Sequence, residues 1–167
     1  MPDSKMPDAP DSAEPNAAQL SGADLARLLE QNKTLADARG VSQDTCEALY
    51  AQGFAALQKK DYENAFYLFS FLVLHRHDTD AYWQGLGHAQ AGLGNYAAAA
   101  MTLLVPYERK PGAELALELA KNFTQCGLHE LAQHYADEAE TRAQKRKDKK
   151  LAGRARLLRE RLQEAAS

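Results

Sequence analysis

The chain has 167 residues, of which 45% are apolar and 26% are charged, and its formal net charge is −3 at pH 7. This length suits one domain with a core of several helix pairs. No apolar run approaches the roughly 20 residues that a membrane-spanning helix needs, and the first residues lack the apolar core of a signal peptide, so we expect a cytoplasmic protein without membrane insertion. The two cysteines are far apart and indicate reduced thiols.

The N-terminal part divides into a tail and a leading helix. Residues 1–19 are rich in Pro, Asp, Ser and Ala, and they bury too little apolar surface to offset the entropy lost on ordering, so they predict a disordered tail. A helix is expected over 21–38, with leucines along one face. Part of this leucine stripe has few partners within the chain and predicts a homodimer, through Leu25, Leu28, Leu29 and Leu35.

An internal repeat follows the leading helix. Ala65, Ala99 and Ala132 stand 34 and 33 residues apart, each just after a helix end and a short turn. A helix–turn–helix unit of about 34 residues is the tetratricopeptide signature. The sequence therefore predicts an all-α fold, in which three tetratricopeptide helix pairs form a short right-handed solenoid, with repeats at about 46–79, 80–112 and 113–144.

Helix boundaries follow from caps, glycines and apolar spacing. The three pairs are predicted at about 44–58 and 61–76, at 79–91 and 95–109, and at 112–125 and 128–141. Pro106 lies inside the second helix of the second pair and predicts a kink or an early end near residues 103–105. A C-terminal capping helix is expected at about 147–165, because Leu151, Ala155, Leu158 and Leu162 recur at helical spacing.

The sequence contains no recognisable catalytic or metal-binding motif. The five histidines do not complete a ligand set at zinc spacing, and no phosphate-binding loop or nucleophile motif is present, so we expect no enzyme activity, no metal and no cofactor. Ten Lys or Arg residues lie between Arg142 and Arg161 against only Asp148 and Glu160. This basic stretch lacks interleaved aromatic residues, which favours a solvated segment over a nucleic-acid site.

A peptide-binding groove is expected on the concave face, which the first helix of each pair lines. The predicted contact residues are Tyr50, Phe54, Leu57, Gln84, His88, Ala91, Leu117 and Lys121. Tyr50, Phe54 and Gly85 occupy positions that carry Lys or Asn in domains that clamp an acidic C-terminus, so we expect an apolar channel for an extended peptide instead.

Two alternatives place three of these contact residues in the protein interior. Tyr50 and Leu57 would pack beneath the leading helix, and Phe54 would be a core residue. The aromatic stretch from Tyr62 to Phe71 favours the core between repeats over a ligand site.

Residues 28–142 resemble the class II chaperones of bacterial type III secretion, most specifically at 41–45, 49–54 and 85–96. The resemblance implies a cytoplasmic partner of the hydrophobic translocator proteins, in which Tyr50 and Phe54 grip a short segment bearing Pro and Leu. It also implies a dimer to which the leading helix contributes. The implied function is to keep translocators soluble and competent for secretion, without turnover, and the alternative is a generic tetratricopeptide interaction scaffold.

Overall fold

The computed structural model describes residues 33–165, together with Ala23, Ala26, Arg27 and Gln31. Every regular element among these residues is a helix. The helices are α1 (Leu35–Arg39), α2 (Gln43–Gln58), α3 (Tyr62–His75), α4 (Asp80–Gly92), α5 (Tyr96–Arg109), α6 (Ala113–Gln125), α7 (His129–Lys145) and α8 (Lys149–Ala165). From α2 onward each helix packs against the next, and α2 also contacts α4. The predicted all-α fold of three tetratricopeptide pairs with a C-terminal capping helix is confirmed.

The same tight turn joins the two helices of each pair. A residue in the left-handed backbone region follows the first helix of each pair, with φ of 61° at Lys60, 80° at Gly94 and 71° at Gly127. The next amide then donates back to the carbonyl five residues earlier, as Asn95 does to Gln90 at 2.9 Å. Glycine adopts this conformation without strain, which explains why glycine marks two of the three turns.

The leading segment differs from the single helix predicted over 21–38. Ala23, Ala26 and Arg27 are helical, whereas Lys33 and Thr34 are not, and α1 begins at Leu35. Thr34 starts this separate helix with a capping box, since its hydroxyl accepts from the Asp37 amide at 3.3 Å and its own amide donates to the Asp37 carboxylate at 2.9 Å. The predicted tail at 1–19 lies outside the described residues.

α1 is attached to the first repeat through α3. The side chain of Ala36 is fully buried, and the Asp37 carboxylate lies 3.6 Å from the Arg76 guanidinium at the end of α3. The backbone hydrogen bond from Thr34 is the main cause that lowers the pKa of the Asp37 carboxyl. α1 therefore fixes where the leading segment meets the solenoid.

Pro106 does not end its helix. α5 runs to Arg109, and the Lys110 amide donates to the Pro106 carbonyl at 3.0 Å, so the predicted early end near 103–105 is wrong. Proline removes one helical hydrogen bond, but the Pro106 ring is fully buried beside Leu103 and Tyr107. Burial of these apolar groups offsets the missing bond, which is an effect of tertiary packing that local sequence does not report.

The C-terminal half is closed by close packing of small residues. α7 extends to Lys145, four residues beyond its predicted end at 141, because Ala139 and Ala143 remain fully buried in one cluster with residues of α8. Glu140 is also buried and accepts a hydrogen bond from Arg156 of α8 at 3.1 Å. Of the predicted capping residues, Leu151, Ala155 and Leu162 are buried and Leu158 is half-buried.

Two glycine substitutions test this packing. A Cβ atom on Gly87 would lie 2.6 Å from Cγ of the fully buried Leu103, so we expect Gly87→Ala to lower the free energy of unfolding by about 1–3 kcal/mol. A Cβ on Gly153 in α8 would have no neighbour within 4 Å, so Gly153→Ala should raise it by roughly 0.5–1 kcal/mol. Urea denaturation measures both, and equal effects would contradict the packing described.

Candidate peptide-binding site

A cavity of about 140 Å³ lies between α2 and α4. Eight residues line it: Tyr50, Phe54, Leu57, Phe69, Ala81, Gln84, Gly85 and His88. Five of them belong to the predicted contact set, and Tyr50, Phe54 and Leu57 share one face of α2 because they are separated by four and three residues. The 34-residue repeat places Gln84 and His88 of α4 at the positions that Tyr50 and Phe54 hold in α2.

The floor of the cavity is the ring of Phe69, which is only 1% exposed. Glycines face this ring from both sides. A Cβ atom on Gly85 would lie 2.2 Å from its Cε1 atom, and one on Gly53 would lie 3.0 Å from Cε2. Neither helix could approach the ring this closely with a larger residue, so the two glycines set the depth of the cavity.

Tyr50 is the centre of an aromatic cluster. Its ring centroid lies 5.9 Å from that of Phe69, edge to face, and 5.7 Å from that of Tyr82. Tyr82 is buried, and this burial raises the pKa of its phenol. These contacts hold Tyr50 in one place and give the cavity a preformed aromatic wall.

Phe54 extends the aromatic wall toward solvent. Its ring stacks on Tyr50 at a centroid distance of 6.4 Å, yet 50% of the residue is exposed. The alternative that Phe54 is a core residue is therefore wrong. A large side chain that is half-exposed at the mouth of a cavity provides apolar surface that an incoming ligand would bury.

The chemistry of the lining favours binding over catalysis. None of the eight lining residues is Asp, Glu, Lys or Arg, and only Gln84, His88 and the Tyr50 hydroxyl bring polar side-chain atoms. The Gln84 amide both donates and accepts, which suits the backbone of an extended peptide. Within the described part of the chain, no group of three or more His, Cys, Asp or Glu is placed to hold a metal ion.

Three predicted contact residues do not line the cavity. Leu117 is only 2% exposed and belongs to the buried cluster that includes Leu151 of α8. Lys121 forms an ion pair with Glu118 at 2.7 Å, and Ala91 is half-buried beyond the cavity. The structure thus does not bring these residues together with Tyr50 and Phe54, and we leave them out of the proposed site.

Phe69 is the lining residue that the sequence did not place at the groove, whereas repeat spacing puts Ala81 and Gly85 on the concave face although the predicted contact set omits them. The aromatic stretch of α3 was expected in the core; this is right for Phe69, whereas Tyr67 is 70% exposed on the other side of the helix. The sequence does carry a signal for Phe69 at the groove: α2 and α4 each have a glycine next to a groove residue, Gly53 beside Phe54 and Gly85 beside Gln84. Glycine inside a helix often marks close approach of a large neighbour, which here is Phe69.

No protein-family profile matches the sequence, and no curated protein matches it. Solved structures do. PcrH from Pseudomonas aeruginosa is 26% identical with a TM-score of 0.68, over 74% of this chain and 95% of PcrH. The type III secretion translocator chaperone SycD from Yersinia enterocolitica is 25% identical with a TM-score of 0.67, over 76% of this chain and 96% of SycD.

The resemblance to the class II translocator chaperones is confirmed. A type III secretion complex from Aeromonas hydrophila shares the fold over 86% of this chain and 97% of its own, with a TM-score of 0.79 and 24% identity. Among the residues described, no helix is long and apolar enough to cross a bilayer.

The different burial of two phenylalanines at the cavity gives a stability test. Phe69→Ala should lower the free energy of unfolding by about 3–5 kcal/mol, because it removes a fully buried ring. Phe54→Ala should lower it by less than about 1 kcal/mol, since half of that residue already meets solvent. Chemical denaturation of both variants checks this, and a large loss for Phe54→Ala would return Phe54 to the core.

Proposed function

We propose that this protein is a cytoplasmic secretion chaperone that holds an extended apolar segment of a type III translocator in the cavity between α2 and α4. The observation that carries the proposal is the preformed aromatic cavity, whose eight lining residues include five of the predicted contact residues. Known complexes of similar chaperones support it. PcrH has been solved with the chaperone-binding regions of PopB and PopD, and SycD with a peptide of the translocator YopD.

The size of the cavity favours peptide side chains as its occupants. Cofactor and drug-like sites enclose about 300–1,000 Å³. At about 140 Å³ the cavity is too small for such ligands but suits an apolar side chain of an extended chain. The aromatic wall would bury that side chain while Gln84 engages the peptide backbone, as in other peptide grooves.

Holding a translocator requires no chemical step. Such cargo carries membrane-inserting segments that aggregate when exposed, and a partner that binds them shifts the equilibrium toward soluble species. The residues that line the cavity between α2 and α4 include no paired nucleophile and base, so we propose a binding protein without enzymatic activity.

We also propose a homodimer formed through the leading segment. Of the four leucines predicted to form it, Leu35 is half-buried in α1, and Leu25, Leu28 and Leu29 lie outside the described residues. Support comes from SycD, which has been solved in an alternative dimer. The attachment of α1 to α3 would place such an interface next to the first repeat.

Co-expression with a translocator tests the function. The wild-type chain should keep a hydrophobic translocator soluble, and Phe54→Ala should weaken binding of a labelled translocator segment about tenfold, since a contact worth about 1.4 kcal/mol is removed. Tyr67→Ala is the matched control, because it removes an exposed aromatic ring that does not line the cavity. Fluorescence anisotropy gives the affinities.

Two outcomes would contradict this proposal. If the translocator remains insoluble while folded soluble proteins bind the chain, the generic scaffold is the correct function. If Tyr67→Ala and Phe54→Ala weaken binding equally, the cavity is not the binding site.

The dimer is tested by changing its leucines in the full chain. Replacing Leu25, Leu28 and Leu29 with Ser should convert a dimer into a monomer by light scattering, because the apolar stripe is removed. The control is Leu157→Ser, which alters an exposed leucine of α8. An unchanged mass in the triple variant would show that the interface lies elsewhere or that the chain is monomeric.

A further inference from the structure

The turn between α7 and α8 carries a concentration of positive charge that the peptide-binding function does not use. Lys147, with a φ of 60°, lies in this turn, and Lys149 begins α8. Around them the side chains of four further cations are exposed: Lys145, Arg146, Lys150 and Arg154. No ion pair with a described residue engages Lys147 or Lys149.

Two of these cations, Lys147 and Lys149, line a second cavity, of about 470 Å³. Lys147, Lys149 and Arg156 contribute its positive charge, and Arg156 shares its charge with Glu140 at 3.1 Å. Ala152 and Gly153 also line it, and a Cβ on Gly153 would meet nothing within 4 Å. Ala152 and Gly153 leave room for a peptide backbone, and acidic side chains on either side of that backbone could pair with the flexible cations.

The only acidic residue in this lining is Asp148, and its carboxylate already has a structural role. It accepts a hydrogen bond from the Leu151 amide at 2.9 Å and so caps the start of α8. The remaining charge favours an anionic ligand.

We propose that the acidic segment of this chain at residues 3–14 docks in this basic cavity. The segment contains Asp3, Asp8, Asp11 and Glu14 against the single cation Lys5, so its charge is opposite to that of the cavity. Its prolines and alanines are compact enough to lie along the small residues Ala152 and Gly153. Because both parts belong to one chain, weak pairwise attraction acts at an effective concentration of the order of millimolar.

The connecting chain is long enough for this contact. The residues between Glu14 and Lys33 span up to roughly 50 Å, because the stretch around Ala23, Ala26 and Arg27 is helical and rises only about 1.5 Å per residue. Because α2 contacts α4 and α6 contacts α8 directly, four packing steps of about 8–10 Å lead from α2 through α4, α5 and α6 to α8, which amounts to at most about 40 Å. A docked segment would neutralise the basic surface and compete with other anions for it.

Amide chemical shifts of the full chain provide the test. One variant neutralises the segment with Asp3→Asn, Asp8→Asn, Asp11→Asn and Glu14→Gln, and the control neutralises two exposed acids of α2 and α3 with Asp44→Asn and Glu63→Gln. At low salt, the first variant should differ from wild type at residues 144–156, and the control should not. The difference should vanish near 1 M salt, where the screening length falls to about 3 Å.

A reciprocal variant and a competing anion complete the experiment. Lys147→Asn with Lys149→Gln should shift the amides of residues 3–14, and Asn tolerates the left-handed backbone at position 147. Inorganic polyphosphate should bind the segment-neutralised variant about threefold or more tightly than wild type, since the competing segment is released. No clustered shifts, shifts that disappear on dilution, or equal polyphosphate affinity would overturn the proposal; shifts lost on dilution would indicate a second copy as the occupant.

Discussion

The ring of Phe69, held between Gly53 of α2 and Gly85 of α4, is the contact on which the candidate peptide-binding cavity depends. Both glycines lie against this ring, so α2 and α4 each approach it more closely than a larger residue would allow. Tyr50 packs edge-on against this ring and is fixed by it, and Phe54 stacks in turn on Tyr50. A close-packed interior does not adjust gradually, so changes at Phe69 would reach every side chain of the wall.

The two halves of the solenoid use different packing, which explains where the site lies. The N-terminal cluster joins large rings to glycines and leaves a cavity open between α2 and α4. The C-terminal cluster joins the alanines of α7 to α6 and the capping helix α8, and these small residues allow close approach. Leu117, which holds the groove position of the third repeat, is therefore buried in that cluster and is lost as a ligand contact.

Much of the fold follows from local signals in the sequence. Ser42 and Asp61 cap the helices that they precede, and Gly94 and Gly127 take the left-handed conformation that closes two pairs. Local signals did not predict that α5 continues past Pro106, because the missing hydrogen bond is offset by burial of the Pro106 ring in the tertiary structure. The break at Thr34 carried a readable signal, a Thr three residues before an Asp, but the leucine pattern obscured it.

Residue spacing predicts the upper part of the cavity lining but not its floor. Tyr50, Phe54 and Leu57 follow from helical spacing, and Gln84 and His88 follow from the repeat. The register of the third repeat rests on a 33-residue step, and Leu117 is buried in one cluster with residues of α8, which lies outside the repeat pattern. A large apolar residue is expected at the repeat position of Phe69 both in a closed core and under a cavity. Only the packing of α2 against α4 shows that a cavity lies above it.

The most direct measurement is of intermolecular nuclear Overhauser effects between the full chain and a bound translocator segment. This account predicts contacts from apolar side chains of the segment to the rings of Tyr50 and Phe54 and to the Leu57 methyls. It predicts none to the exposed side chains of Tyr67, Leu74 and Met101, which do not line the cavity. Contacts to those three residues, with none to Tyr50 or Phe54, would contradict the assignment of the cavity as the binding site.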